Sequence, residues 1–312
     1  MLFRSHGVGK HSAFNTKNTY FPAAIGLAAS WNPGMAQMYG EVLAEETRGA
    51  GRHAILAPGV NLCRTPLNGR TFEYFSEDPY LAAQMAIPLI KGVQSKRVAA
   101  CIKHFYCNSQ EVARRWSNSV VDERTLEELY WRPFKEAIKA ADPWMLMGSY
   151  NRINGKWVYE NPNIGYDMLC KQWGFQNCMV TDWFASHHLQ DPAICIKSRL
   201  SLEMPKAIVY NIDLLKKAYD AKEFSDEELN DCTRRLLRVM FLVGLFDPAD
   251  KIPQGSRNTD THLDVARKMA EESIVLIKNE KNVLPIKTPI TRRYYLAGDL
   301  IDYHFYVKGW GG

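Results

Sequence analysis

A carboxylate and an aromatic ring follow directly after a short apolar run in the middle of the sequence. Met179 and Val180 precede Thr181, Asp182 and Trp183. We predict a buried strand that ends at Asp182, because α/β barrels place their reactive groups at the carboxyl ends of strands. An aspartate there can act as a nucleophile, and the indole beside it can flank a bound ring. The simpler interpretation is a helix N-cap beside a tryptophan of the core.

Two further clusters carry cationic side chains. The segment 61–79 contains Arg70, whose guanidinium suits paired hydroxyls or a neighbouring carboxylate, although a salt-bridged surface loop would look the same. Lys103 and His104 follow the apolar residues 98–102. They cannot both point into the core, so we expect one or both at the open end of the barrel. They are interpreted as hydroxyl donors, as a Schiff-base lysine with a helper histidine, or as a solvated pair.

Three other polar features are weaker candidates. Tyr150 ends the apolar residues 144–149 and presents a phenol beside an amide. His187 and His188 are adjacent and lack the spacing of helical zinc ligands, so we interpret them as loop residues and predict no metal site. Glu203 is interpreted as structural rather than catalytic.

Apolar runs alternate with helical patterns along most of the chain. The predicted strands are residues 53–57, 98–102, 144–149, 178–181 and 201–204, and the predicted helices are 35–49, 80–93, 123–141, 163–173, 212–221, 226–246 and 263–278. This alternation predicts an α/β fold with a (β/α)8-type, TIM-like barrel. A barrel is favoured over an open sheet because no Gly-rich phosphate loop follows any strand. Residues 1–18 are patternless, so we expect the barrel to be incomplete at its N-terminus, with its first strand missing.

The composition changes near residue 247. We assign residues 1–247 to the barrel domain and the polar, Pro- and Asp-containing residues 248–262 to a linker. A helix, a predicted strand at 293–297 and a Gly-rich end at 308–312 follow. These elements cannot bury their own apolar faces, so residues 263–312 are interpreted as the truncated start of a second domain, an α/β sandwich.

The bulk composition excludes several classes of protein. The net charge is +5, and Lys and Arg are dispersed, which argues against nucleic-acid binding. No apolar stretch is long enough to span a bilayer, and no signal peptide is recognisable, so we expect a cytoplasmic protein without membrane contact. The seven cysteines include none of the CxxC pairs that make zinc sites, and most, such as Cys101, Cys178 and Cys195, are interpreted as buried strand residues, which suggests a reducing compartment. No cofactor is predicted, and a homo-oligomer is compatible with the sequence.

The clusters together, in this order, resemble glycoside hydrolase family three, most closely its β-glucosidases. The resemblance extends over nearly the whole chain. The matching segments are residues 59–70, 72–79, 100–105, 121–124, 148–151, 181–183, 202–205 and 272–285.

The resemblance implies a role for each candidate residue. Asp182 would be the nucleophile of a retaining exo-β-glucosidase, forming a glycosyl-enzyme before water releases glucose. Five residues would bind the substrate. Arg70, Lys103 and His104 would hold the hydroxyls of the glucose, Tyr150 would lie beside the nucleophile, and Trp183 would form a wall of the sugar site. The cations would keep Asp182 ionised. The partner is thus expected to be a β-glucoside or oligosaccharide.

Three departures from the family pattern affect the expected activity. Phe3 and Arg4 stand where family members carry the Asp and Gly of an Asp-Gly-Pro segment. The general acid/base Glu of the β-glucosidases would lie in the second domain, beyond this chain, and the residues after Phe105 lack the Gly-rich histidine loop of the related hexosaminidases. We therefore expect a fragment with weak or no turnover. The alternatives are a β-xylosidase or other exo-glycosidase of the family, and a non-catalytic sugar-binding module.

Overall fold

The computed structural model of the chain describes residues 3–5, 18–282 and 284–285. The strands predicted at 53–57, 98–102, 144–149, 178–181 and 201–204 are present close to those positions, and the strand predicted at 293–297 lies outside the described residues. The strands are Phe3–Ser5 (β1), Ala54–Leu56 (β2), Ala99–Phe105 (β3), Asn118–Ser119 (β4), Met145–Gly148 (β5), Arg152–Ile153 (β6), Cys178–Val180 (β7) and Leu200–Leu202 (β8). Six of them form one parallel sheet in the order β1-β2-β3-β5-β7-β8, and β4 pairs with β6 outside it.

The N-terminal strand corrects one prediction. We expected the first strand to be missing, but Phe3–Ser5 pairs in parallel with Ala54–Leu56, residue for residue. Three residues without an alternating apolar pattern carry no strand signal of their own. The edge of β2 supplies the hydrogen-bond partners, so tertiary pairing decides the conformation here and local propensity does not.

Helices connect the parallel strands. The α-helices are Ala24–Ala29 (α1), Pro33–Gly49 (α2), Pro79–Ser95 (α3), Glu123–Thr125 (α4), Arg132–Ala141 (α5), Pro192–Lys197 (α6), Ile212–Asp220 (α7), Asp226–Leu242 (α8) and Asp260–Glu272 (α9). Helix α8 begins with the predicted capping box, in which Ser225 and Glu228 bond to each other's backbone N–H groups.

The predicted helix 123–141 is interrupted, which corrects its continuity. Asp122 caps it as expected, but Leu126–Tyr130 is a π-helical turn, in which the Trp131 N–H donates to the Leu126 carbonyl. Pro133 follows and has no N–H for the regular α-helical ladder, so α5 starts anew around it. A second π-helix, Asn163–Gln172, replaces the predicted helix 163–173.

Alternate strand residues pack on opposite faces of the sheet. One face, with Ile55, Ala100 and Leu146, joins the large core under helices α1, α2, α3 and α5. The other face forms a second core with Val239 and Val243 of α8, and its strand members are Ala54, Leu56, Ala99, Cys101, Met145, Met147, Cys178 and Val180. The period of two then places residues 103 and 182 on this second face, at the carboxyl ends of β3 and β7.

Helix α9 packs against the barrel helices α1 and α2, and its Met269 is fully buried in the large core. His262, at the start of α9, is 1% exposed and lies between two carboxylates of α2. Its Nδ1 is 2.8 Å from Glu46 Oε1 and its Nε2 is 3.1 Å from Glu45 Oε2. The domain boundaries themselves remain predictions, because residues 293–297 and 308–312 lie outside the described part of the chain. Within the described ranges, no helix has the length and apolarity needed to cross a membrane.

Candidate functional site

The carboxyl ends of two strands and the segment after β2 bring the predicted residues together. Lys103 and His104 belong to β3, and Asp182 follows β7 by two residues. Arg70 lies in the segment after β2. All four side chains are buried, between 1% and 4% exposed, and they form one cluster. The structure therefore places them on one face, as the strand-end interpretation requires.

His104 is the centre of this cluster. Its Nε2 lies 2.9 Å from Nη2 of Arg70 and 3.5 Å from Oδ2 of Asp182, and its Nδ1 lies 3.2 Å from the Tyr74 hydroxyl. Asn61 fixes the backbone of the same residue, donating to its carbonyl at 2.9 Å and accepting from its N–H at 2.8 Å. Both ring nitrogens and both backbone polar groups of His104 thus have neighbours, so the ring is held in one orientation.

Both residues of the Lys103-His104 pair enter the site. The pairing of β3 with β5 shifts register between Ile102 and Phe105, and this irregularity lies where the two polar side chains project. Lys103 Nζ is 3.8 Å from Glu73 Oε2, and the other oxygen of Glu73 pairs with Arg70. Glu73 therefore links the two cations, which the sequence analysis did not foresee.

Asp182 is held by backbone and aromatic neighbours. Its Oδ1 accepts from the Trp183 N–H at 2.6 Å, and its own N–H donates to the Tyr159 hydroxyl at 3.0 Å. The Tyr150 hydroxyl donates to the Trp183 carbonyl at 2.7 Å. Tyr150 thus lies beside the carboxylate, and the guanidinium of Arg114 covers its ring at 4.4 Å.

Two glycines make room for the two tyrosines of the site. A Cβ on Gly59 would lie 2.9 Å from Cδ1 of Tyr74, and a Cβ on Gly148 would collide with the ring of Tyr159. Both tyrosines are completely buried. Gly59 follows β2 and Gly148 ends β5, so a side chain at either position would push a ring away from His104 or Asp182.

Burial and charge oppose each other at Asp182. Burial raises the pKa of this carboxyl above its ordinary value of 3.8, while Arg70, the Trp183 N–H and Lys103 counteract the rise. Burial also lowers the pKa of Lys103, against the attraction of Glu73. Desolvation therefore outweighs the cationic neighbours in shifting the pKa of this carboxyl, and the expectation that the cations keep Asp182 ionised stays a prediction.

Several buried polar atoms of the cluster lack partners among the described residues. They are Nε and Nη1 of Arg70 and Oδ2 of Asp182, which accepts no hydrogen bond of good geometry. An unpaired buried donor or charged acceptor costs about 1–3 kcal/mol, so a fold keeps such atoms where a ligand can satisfy them. Two guanidinium donors without partners, in the same cluster as a carboxylate, suit a ligand rich in hydroxyl groups.

Four residues of the site were not predicted: Asn61, Glu73, Tyr74 and Tyr159. The first three lie within segments that match the family, so their positions in the sequence were a signal. A contact between side chains from different loops has no such signal. Tyr159 lies in a short 3₁₀ helix, Val158–Glu160, that no pattern marked.

The remaining candidates lie outside the cluster. His187 and His188 end a 3₁₀ turn, Ala185–His188, and His188 packs against Trp116 with ring centroids 4.0 Å apart. Glu203 accepts from three backbone N–H groups, of residues 208, 209 and 210, which supports its structural interpretation. In the described part of the chain, no three His, Cys, Asp or Glu side chains converge to hold a metal ion.

Comparison with known proteins identifies the family of this chain. Residues 4–239 match the family model described as the glycosyl hydrolase family 3 N terminal domain. The chain is 40% identical over 269 residues to thermostable beta-glucosidase B of Acetivibrio thermocellus, covering 86% of this chain and 35% of that protein. It is also 40% identical over 268 residues to an exo-alpha-(1->6)-L-arabinopyranosidase of Bifidobacterium breve, covering 86% and 34%.

The fold agrees with solved structures as well. Beta-glucosidase 3B from Thermotoga neapolitana in complex with glucose aligns with a TM-score of 0.80 at 35% identity, covering 88% of this chain and 39% of that one. The chain thus spans between a third and two fifths of the length of these relatives. The described strands and helices form an α/β fold with a six-stranded parallel sheet, consistent with the predicted incomplete TIM-like barrel, and the chain belongs to glycosyl hydrolase family 3 through its N-terminal domain.

Proposed function

We propose that this chain forms the nucleophile-bearing part of a retaining exo-β-glucosidase. The observation that carries the proposal is the buried cluster of Asp182 with Arg70, Lys103 and His104, which joins one carboxylate to three hydrogen-bonding groups. In such a site the carboxylate attacks the anomeric carbon, and the leaving group departs as the glycosyl-enzyme forms. Water then attacks the same carbon and regenerates the carboxylate.

The neighbours of Asp182 suit this chemistry. The unpaired donors of Arg70 are available to glucose hydroxyls, and hydrogen bonds to them strengthen as positive charge develops on the sugar ring. The other carboxylates close to the cluster are already engaged by cations: Glu73 by Arg70 and Lys103, and Glu111 by Arg114 at 2.6 Å. Neither is free to protonate a leaving group, so we expect weak turnover of unactivated glucosides by this chain.

A trapping experiment tests the nucleophile without requiring an acid. The full chain is incubated with 2,4-dinitrophenyl 2-deoxy-2-fluoro-β-glucoside, whose leaving group departs without protonation, and the labelled peptide is identified by mass spectrometry. We expect a covalent sugar on Asp182, none in Asp182→Asn, and normal labelling in Asp142→Asn, a control at the opposite end of the strands. An unlabelled wild type that also fails to bind glucose contradicts the proposal.

The choice of sugar is a separate question, because one relative at 40% identity is an arabinopyranosidase. Aryl β-glucoside, β-xyloside and α-arabinopyranoside are compared with the same activated leaving group. We expect the glucoside to react fastest. Faster reaction of a pentoside favours the alternative of a β-xylosidase or other exo-glycosidase. A sugar-binding module is favoured if glucose binding survives Asp182→Asn and the wild type forms no adduct.

A further inference from the structure

The two ring nitrogens of His104 face groups of different hydrogen-bonding character. Nε2 lies 2.9 Å from Arg70 Nη2, and a guanidinium can only donate. Nε2 must therefore accept, so it carries no proton. A neutral imidazole with an unprotonated Nε2 has its hydrogen on Nδ1, where the hydroxyl oxygen of Tyr74 lies 3.2 Å away and can accept it.

We propose that Tyr74 is a positioning residue, which together with Arg70 holds His104 as the neutral imidazole protonated on Nδ1. Tyr74 is completely buried, and the ring lies edge-on to His104 with centroids 6.1 Å apart. Gly59 gives the tyrosine ring the space to approach. The tautomer follows from donor and acceptor types fixed by the packing, in a place that bulk water does not reach.

The consequence concerns the nucleophile. Asp182 Oδ2 is 3.5 Å from Nε2 of His104. With the opposite tautomer, or with an imidazolium, Nε2 would donate a proton towards this oxygen and reduce its nucleophilicity. The Nδ1-protonated form keeps Oδ2 available for bonding to carbon. This last step rests on the proposed role of Asp182, whereas the tautomer itself does not.

Nitrogen NMR measures the tautomer directly. The full chain is labelled with ¹⁵N-histidine, and the signal of His104 among the eight histidines is assigned with His104→Gln. We expect a protonated Nδ1 and an unprotonated Nε2 in the wild type. A proton on Nε2, or on both nitrogens, overturns the inference whatever the outcome of the trapping experiment, so the two failures are distinguishable.

Two matched variants separate positioning from general damage to the fold. Tyr74→Phe removes the acceptor of the Nδ1 proton, so we expect a shift towards the Nε2-protonated form and about tenfold weaker glucose binding. Tyr159→Phe removes an equally buried hydroxyl next to Asp182 and is expected to leave the His104 signals unchanged. Unchanged His104 shifts in Tyr74→Phe, or equal shifts in both variants, overturn the role of Tyr74. Should Tyr74→Phe not fold, the wild-type spectrum still decides the tautomer.

Discussion

Two histidines of this protein are equally buried and have opposite surroundings. His104 and His262 are each 1% exposed. His104 lies between a guanidinium and a phenol, whereas both ring nitrogens of His262 face carboxylates, Glu46 at 2.8 Å and Glu45 at 3.1 Å. Carboxylate oxygens only accept hydrogen bonds, so each ring nitrogen of His262 faces an acceptor, whereas one ring nitrogen of His104 faces a donor. Burial by itself therefore does not decide how a histidine bonds here; its partners do.

The two arrangements serve different ends. At the strand ends, the ring of His104 lies beside the carboxylate of Asp182. At the junction, the ring of His262 ties helix α9 to helix α2, and Glu46 also accepts from Thr19 and from the N–H of Asn258. One residue type thus acts as a site group at the strand ends and as a structural link between two helices at the junction.

The largest effect that tests this comparison is on stability. His262→Gln takes the imidazole partner away from the fully buried Glu46 carboxylate, so we expect a loss of about 3 kcal/mol in the free energy of unfolding. His104→Gln removes only hydrogen bonds of a neutral ring and is expected to cost about 1 kcal/mol. Urea unfolding measures both.

A surface variant calibrates that measurement. Glu271→Gln removes one partner of an exposed ion pair with Arg267 and is expected to change the unfolding free energy by less than about 0.5 kcal/mol. Equal losses in the two histidine variants would show that the contacts of His262 with Glu45 and Glu46 stabilise the fold no more than the hydrogen bonds of His104 do.

Ligand binding is expected to reverse the ranking. His104→Gln takes away a group that contacts Arg70 and lies beside Asp182, so we expect glucose affinity to fall about tenfold. His262 lies at the junction of helices α2 and α9, away from the cluster. His262→Gln is therefore expected to leave the affinity for glucose unchanged at a temperature where the variant is folded. Calorimetric titration with glucose checks both variants, and a loss of affinity in His262→Gln would mean that the two regions are coupled.

The buried carboxyl of Asp182 is expected to cost stability. Burial raises the pKa of Asp182, so the folded chain holds this proton more tightly than the unfolded chain, and stability falls as pH rises from 3.8 through the raised value. Asp182→Asn removes that cost, and we expect its Tm at neutral pH to be higher by about 2 °C. The difference should vanish below pH 3.8. A lower Tm at neutral pH would mean that the cations outweigh desolvation after all.

The sequence revealed the site better than the contacts that hold it. Strand-end positions identified Asp182, Lys103 and His104, because a period of two and the ends of apolar runs are local patterns. The bond between Tyr74 and His104 joins residues 30 positions apart, and that between His262 and Glu46 joins residues 216 apart. No local pattern encodes such pairs. The strand at Phe3–Ser5 was missed for the same reason, since it depends on the edge of β2.

The smallest expected effect concerns the second carboxylate at the junction. Burial tends to raise the pKa of Glu45, but hydrogen bonds from Lys96 and His262 outweigh it and lower the pKa below the ordinary 4.5. A lowered carboxyl pKa stabilises the fold above the unfolded value and loses this contribution as pH falls from 4.5 through the folded value. Glu45→Gln is therefore expected to flatten the acid side of the stability curve slightly, since the group is partly exposed. Urea midpoints measured between neutral pH and the acid limit check this, with Glu271→Gln as the control. An unchanged slope would mean that Glu45 contributes nothing measurable at the junction, and His262 would then be held by one carboxylate, that of Glu46, rather than by two.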